Sequence, residues 1–373
     1  MAASRTHDAA HKETMQMTTK VLILGASYGS LLGTKLAMAG HAVTLVCTPG
    51  TADLINREGT RVRFPVKGVE GLVEIASKGL PGAVRAAAPD AVDPAAFDLV
   101  VLGMQESQYA ASGVRELMQR IARSGKPCVA IMNMPPLPYL ARIPGLEPTL
   151  LAGCYADASV WNGFDPARVT LASPDPQAFR PADEGKNVLQ VGLPTNFKVA
   201  RFDDEADTAL LRRLEADIEA VRHVHAGVEL EIPVKLKVHE SVFVPLAKWP
   251  MLLAGNYRCI RWDSMIPIRE AVHGDAARSR EIYDWVASLC QLLGAEAEDL
   301  VPFEKYAKAA EGLGKPSSAA RALFGGAKYI ERVDRMVQSV AQQLGLRHDV
   351  VDEIVAIVDD RLHANRTPQL QAA

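Results

Sequence analysis

The 373-residue chain has no excess of basic residues: 41 lysines and arginines stand against 44 aspartates and glutamates, a formal net charge of −3. That balance argues against a polyanionic partner, so nucleic acid is not an expected ligand. No cysteine pattern is present either. Cys47, Cys128, Cys154, Cys259 and Cys290 are odd in number, far apart and without a C-x-x-C pair, which excludes a disulfide framework and a zinc knuckle. No apolar run approaches the roughly 18 residues that would span a bilayer, so no membrane partner is expected. The first nineteen residues, Met1 to Thr19, are polar and lack the apolar centre of a secretion signal. They read as a disordered tail in which Met15 or Met17 is a natural start, with residues 367–373 as a second tail. A cytoplasmic protein with reduced, mostly buried thiols is the expectation.

What is present begins at Lys20. Val21 to Leu24 is an apolar run ending at Gly25, Leu31, Leu32, Leu36 and Ala39 then recur at helical spacing, and Val43 to Val46 starts another strand after Gly40. Strand, glycine turn, helix and strand in this order open a dinucleotide-binding unit. Its turn, Gly25-Ala26-Ser27-Tyr28-Gly29-Ser30, would set backbone N–H groups and the positive end of the helix dipole against a pyrophosphate. The spacing Gly25, Gly29, Gly33 is G-x-x-x-G-x-x-x-G rather than G-x-G-x-x-G. About 20 residues on, an acidic residue would favour NAD and an arginine NADP. Val46-Cys47-Thr48-Pro49-Gly50 offers neither, and Thr48 could donate to both.

Further along, Phe97 to Gly103 and Cys128 to Asn133 read as buried strands separated by a helical stretch from Ser107 to Ser124. Alternation of this kind implies a parallel sheet, with Gly25, Met104 and Asn133 beyond its carboxyl edge, where ligands bind. Residues from about Trp161 to Glu184 read as an excursion or long hairpin outside the core. Asn187 to Val191 is expected as a strand, and Asp204 to Val221 as a helix burying Leu210, Leu211, Leu214, Ile218 and Val221. From about residue 235 strand signals nearly vanish, and segments 241–260, 278–294, 327–344 and 349–363 are helical in pattern. The expected fold is therefore α/β, with an N-terminal Rossmann-like parallel-sheet domain over residues 20–229 and an all-α C-terminal domain over residues 230–366. His223 and His225 would share one face of a strand, but no third ligand sits at a diagnostic spacing, so no metal is expected.

The helical half opens with Val244-Pro-Leu-Ala-Lys248 and reaches Asn256 eight residues later. That separation rotates only about 80° around a helix and sets both groups on one side. An ammonium with an amide can hold a carbonyl and an adjoining carboxylate, and the ammonium can give up a proton.

The order of a glycine turn, a strand ending in Asn, a helix with Lys and a later Asn, the pair Ser317-Ser318 and a C-terminal helix pair resembles the ketopantoate reductases, from about Lys20 to Leu362. The resemblance implies a C-terminal half like that of 6-phosphogluconate dehydrogenase and a small-molecule 2-oxo acid reduced by NADPH. It implies Lys248 as general acid, Asn256, Lys315, Ser317 and Ser318 against substrate, Asn133 against cofactor and substrate, and Glu331 against cofactor. Lys235 in Val234-Lys-Leu-Lys-Val238 rivals Lys248, whose distance to Asn256 fits the family pattern better. Thr48 stands where the family has an arginine for the 2′-phosphate, which leaves NAD beside NADP. Leu252 and Lys315 replace asparagines, favouring a more acidic or bulkier substrate than ketopantoate. An opine or imine dehydrogenase and a non-catalytic nicotinamide sensor are the alternative readings, and a homodimer is the expected assembly.

Overall fold

The computed structural model describes residues 17–367, so most of both expected tails lies outside the described residues. Its centre is an eight-stranded sheet. In spatial order the strands are Leu236–His239, Phe197–Ala200, Val169–Ser173, Cys128–Ile131, Leu99–Leu102, Lys20–Leu24, Ala42–Val46 and Ala83–Ala87. The last six run parallel, whereas Phe197–Ala200 pairs antiparallel to Val169–Ser173. Chain order reverses between Lys20–Leu24 and Leu99–Leu102, which opens a crevice beyond their carboxyl ends.

The first strand shows why this sheet is buried on both faces. Leu22 and Leu24 point into one core, and Val21 and Ile23 into the other, as a two-residue period requires. The core around Val21 and Ile23 is closed by helices Tyr28–Met38 and Glu205–Ala220. The second of these starts where Asp204 accepts the Asp207 N–H at 3.0 Å. The core around Leu22 and Leu24 runs without interruption into the helical half, through Trp249, Tyr257, Tyr283 and Val337. Each such apolar side chain contributes about 1.5–3 kcal/mol. The two halves therefore share one core.

Three sequence expectations are corrected. Val169–Ser173 is a fully buried strand of the main sheet, although it lies inside the Trp161–Glu184 stretch expected to stay outside the core. Leu236–His239 extends that sheet past residue 230, where the helical half was expected to begin. The expected helix from Ser107 breaks at Gly113, whose φ of 78° only glycine adopts readily, into a short 3-10 turn over Glu106–Ala110 and the helix Val114–Ser124. Later in the Trp161–Glu184 stretch, Gln177–Phe179 becomes the edge of a second sheet, ordered Val73–Ala76, Arg61–Phe64, Val188–Leu193 and Gln177–Phe179. Arg63 ties it together by bonding Glu74 at 2.7 Å and Glu184 at 2.9 Å.

Candidate functional site

Gly25 has a φ of 100°, and a side chain there would lie 2.9 Å from the Gly103 carbonyl and 2.8 Å from Met104. Glycine is thus required by the tight turn and by the approach of the neighbouring strand end. Gly29 is a packing glycine instead: a Cβ would meet Ile23 at 2.6 Å, and Gly33 approaches Val43 in the same way at 3.2 Å. The irregular glycine spacing therefore serves helix-on-strand contact at two of its three positions. Ser27 caps the helix with no side-chain hydrogen bond, and the first turn carries no acidic residue. The positive end of its dipole is uncompensated, which fits the pyrophosphate of a nicotinamide dinucleotide. Ser30 donates to the Ser27 carbonyl at 2.8 Å, and Ala26 is buried in the core.

At the adjacent strand ends, the Met104 N–H donates to the Tyr109 hydroxyl at 3.0 Å, and the Asn133 amide donates to the Glu331 carboxylate at 3.0 Å. The Asn133–Glu331 contact joins residues 198 positions apart and brings together the two groups that the resemblance assigned to cofactor. Glu331 is pinned further by the Tyr257 hydroxyl, which donates to its carbonyl. Burial raises the Glu331 carboxyl above its usual range, against the pull of the Asn133 amide and nearby N–H groups. A second carboxylate, Glu106, sits close by: it is 2% exposed, and both its oxygens accept the Ala156 N–H at 3.1 Å.

Lys248 lies one strand over. Its ammonium donates to Asp175 at 2.9 Å and to the Pro174 carbonyl at 3.3 Å, just beyond the carboxyl end of Val169–Ser173. The Ser173 hydroxyl donates to the same Asp175 oxygen at 2.5 Å, and Lys198 stands 3.6 Å from the other. Burial alone would raise the Asp175 carboxyl, but the Lys248 charge, these hydrogen bonds and Lys198 together hold it below its ordinary value. Asp175 is therefore anionic at neutral pH. Next to it, the Pro176 carbonyl accepts the Tyr28 hydroxyl, so the lysine's anchor and the glycine turn are joined. Burial, and then the Asp175 charge, push the Tyr28 phenol upward and keep it a donor.

The segment linking Lys248 to Asn256 is a short α-turn, Lys248–Met251, followed by a π-helix over Leu252–Tyr257. The wider π turn rotates less per residue than an α-helix, so the angular offset between the two residues shrinks. Asn256 is half-buried, and its carbonyl accepts the Ser317 hydroxyl at 2.7 Å. That hydroxyl also accepts the Ala320 N–H at 3.0 Å as the N-cap of helix Ser318–Phe324. Ser317, 2% exposed, is consumed by the fold rather than turned to a ligand. Ser318 and Lys315 are exposed, and Thr48, also exposed, donates to the Thr51 hydroxyl at 3.1 Å. Lys235 is buried against Glu231 at 3.0 Å and Glu219 at 3.4 Å, without contact to any of these groups. Among the described residues no cluster of three or more His, Cys, Asp or Glu could hold a metal ion. No helix there is long and apolar enough to cross a membrane.

No protein-family model matches the chain, and no curated protein matches it by sequence. Solved structures do. A 2-dehydropantoate 2-reductase from Methylococcus capsulatus superposes with a TM-score of 0.65 over 94% of this chain and 98% of its own, at 13% identity. The chain has the ketopantoate reductase fold. A D-mandelate dehydrogenase, solved with NADH and anilino(oxo)acetate, matches it with a TM-score of 0.62 over 93% of this chain and 100% of its own, at 13% identity. A dimeric ketopantoate reductase from Staphylococcus aureus matches with a TM-score of 0.60 over 93% and 99%, at 12% identity. On this shared fold, Asp175, Glu106 and the Tyr28–Pro176 contact are groups that sequence reasoning missed. The run Ser173-Pro-Asp-Pro176 was the one local signal for them, a turn directly after an apolar run.

Proposed function

We propose that this chain is a nicotinamide-dependent reductase of a 2-oxo acid, with Lys248 as general acid and NADPH as the reductant. The observation that carries the reading is the ammonium of Lys248, held by Asp175 at the carboxyl edge of the sheet beside the strand that ends in Asn133. An anion that holds a lysine ammonium in place at the carboxyl edge of the sheet is what a positioned proton donor requires. In this reading, residues Gly25 to Ser30 hold the pyrophosphate, and Met104, Asn133 and Glu331 flank the nicotinamide end. A reduced nicotinamide bound there would supply hydride to the carbonyl carbon of the substrate. Lys248 gives one proton to the carbonyl oxygen as the C=O becomes C–OH, and Asp175 keeps its ammonium aimed. Asn256, on the same helical segment, orients the adjoining carboxylate.

The test is a cofactor-oxidation screen over 2-oxo acids, with and without amines, on the wild type and Lys248→Ala. Turnover that falls by about a hundredfold or more in the variant supports the acid role. Absence of turnover with every oxo acid, despite cofactor binding, would leave a nicotinamide sensor. Turnover that requires an amine would move the assignment to opine-type chemistry.

A further inference from the structure

The segment that anchors Lys248 continues as a strap over the carboxyl ends of the sheet. Asp175 bonds Lys248 beyond Val169–Ser173, and the Pro176 carbonyl accepts the Tyr28 hydroxyl at the head of the glycine-turn helix. Gln177–Phe179 then pairs with Val188–Leu193, and Ala178 packs on the same core as Tyr28 and Cys47. Arg180 comes next, near enough to Cys47 for each side chain to perturb the other's charge. The chain length agrees with this path. From Val169–Ser173 to Ala42–Val46 is four strand spacings, about 19 Å, and six extended residues reach about 20 Å.

Cys47 follows the second strand, where the adenosine ribose of a dinucleotide lies in a doubly wound sheet. Neither Cys47 nor Thr48 is a charged ligand there. Arg180 is half-buried, and no hydrogen bond or ion pair engages its guanidinium among the described residues. Every other buried or half-buried arginine described has at least one such partner; Arg61 and Arg63, in the same second sheet, hold Glu74 and Glu184. A partly desolvated guanidinium without an anion is costly, and its planar fork matches a phosphate monoester. We propose that Arg180 binds the 2′-phosphate of NADPH and sets the preference for NADPH over NADH, reaching the second strand's end from the strap. This rests on the nicotinamide reading above.

Binding of NADPH and NADH to the full chain, followed by nicotinamide fluorescence without substrate, tests it on the wild type, Arg180→Ala and Arg180→Lys. The wild type should bind NADPH at least about tenfold more tightly than NADH. Arg180→Ala should weaken NADPH by about 10- to 100-fold and leave NADH within about twofold, with Arg180→Lys between them. Unchanged NADH binding reports an intact fold. A wild type without preference, or a preference that survives Arg180→Ala, overturns the assignment while the nicotinamide reading stands. Failure of the wild type to bind either nucleotide overturns both.

Discussion

Glu106 converts its position directly into a pH-dependent stability. Its carboxylate is 2% exposed beyond the strand Leu99–Leu102, with only the Ala156 N–H donating to it among the described residues and Glu331 nearby. Burial chiefly, and the Glu331 charge in addition, push the carboxyl from 4.5 up to about 7 against the opposing Ala156 hydrogen bond. The folded pKa exceeds the unfolded one, so the native state keeps a proton that the unfolded chain releases between those values. The stability this group contributes is complete below about pH 4.5 and lost as pH rises through about 7. At about 1.4 kcal/mol per pKa unit, the whole effect is on the order of 3 kcal/mol. Glu106→Gln keeps an acceptor for Ala156 and removes the charge. Urea denaturation at a series of pH values should show the variant gaining about 2 kcal/mol on the wild type between pH 5 and pH 8. Parallel pH profiles for the two proteins would mean that this carboxylate ionises freely, and the argument from burial would fall.

Three further outcomes follow from named contacts. Asp175→Asn removes the anion at 2.9 Å from Lys248 and should lower kcat by about 10- to 100-fold in the oxo-acid assay; an unchanged kcat would show that the pair has no part in proton transfer. Gly29→Ala forces a Cβ to within 2.6 Å of Ile23 in a closed core and should cost about 1–3 kcal/mol by urea unfolding; a neutral effect would contradict the packing role assigned to that glycine. Ser317→Ala loses an N-cap at 3.0 Å and should destabilise by about 1–2 kcal/mol while KM for the oxo acid stays constant; a large rise in KM would put Ser317 in the substrate site after all.

Which parts of this molecule were legible in advance depended on whether the signal was local. The opening strand, glycine turn and helix were readable because Val21 to Leu24 is an unbroken apolar run and Gly25 stands where the chain must turn. The helix Glu205–Ala220 was readable because Leu211, Leu214 and Ile218 form one stripe behind an Asp204 cap. Leu236–His239 does alternate apolar and polar residues, but it was missed because an edge strand of four residues, with only Leu236 fully buried, is too short for that alternation to stand out from a surface loop. Val169–Ser173 was missed for a different reason. Five buried residues are flanked by Asp165-Pro166 and by Pro174-Asp175-Pro176, and the turn composition on both sides outweighs the strand between them. The same prolines let the chain leave the sheet abruptly and run across its carboxyl edge. The segment whose composition hid it from sequence reading therefore carries the partner of Lys248, the acceptor of Tyr28 and the guanidinium of Arg180, unpaired among the described residues. Contacts such as Lys248–Asp175 and Asn133–Glu331, 73 and 198 positions apart, have no local trace, because only the closing of the sheet brings their partners to one edge.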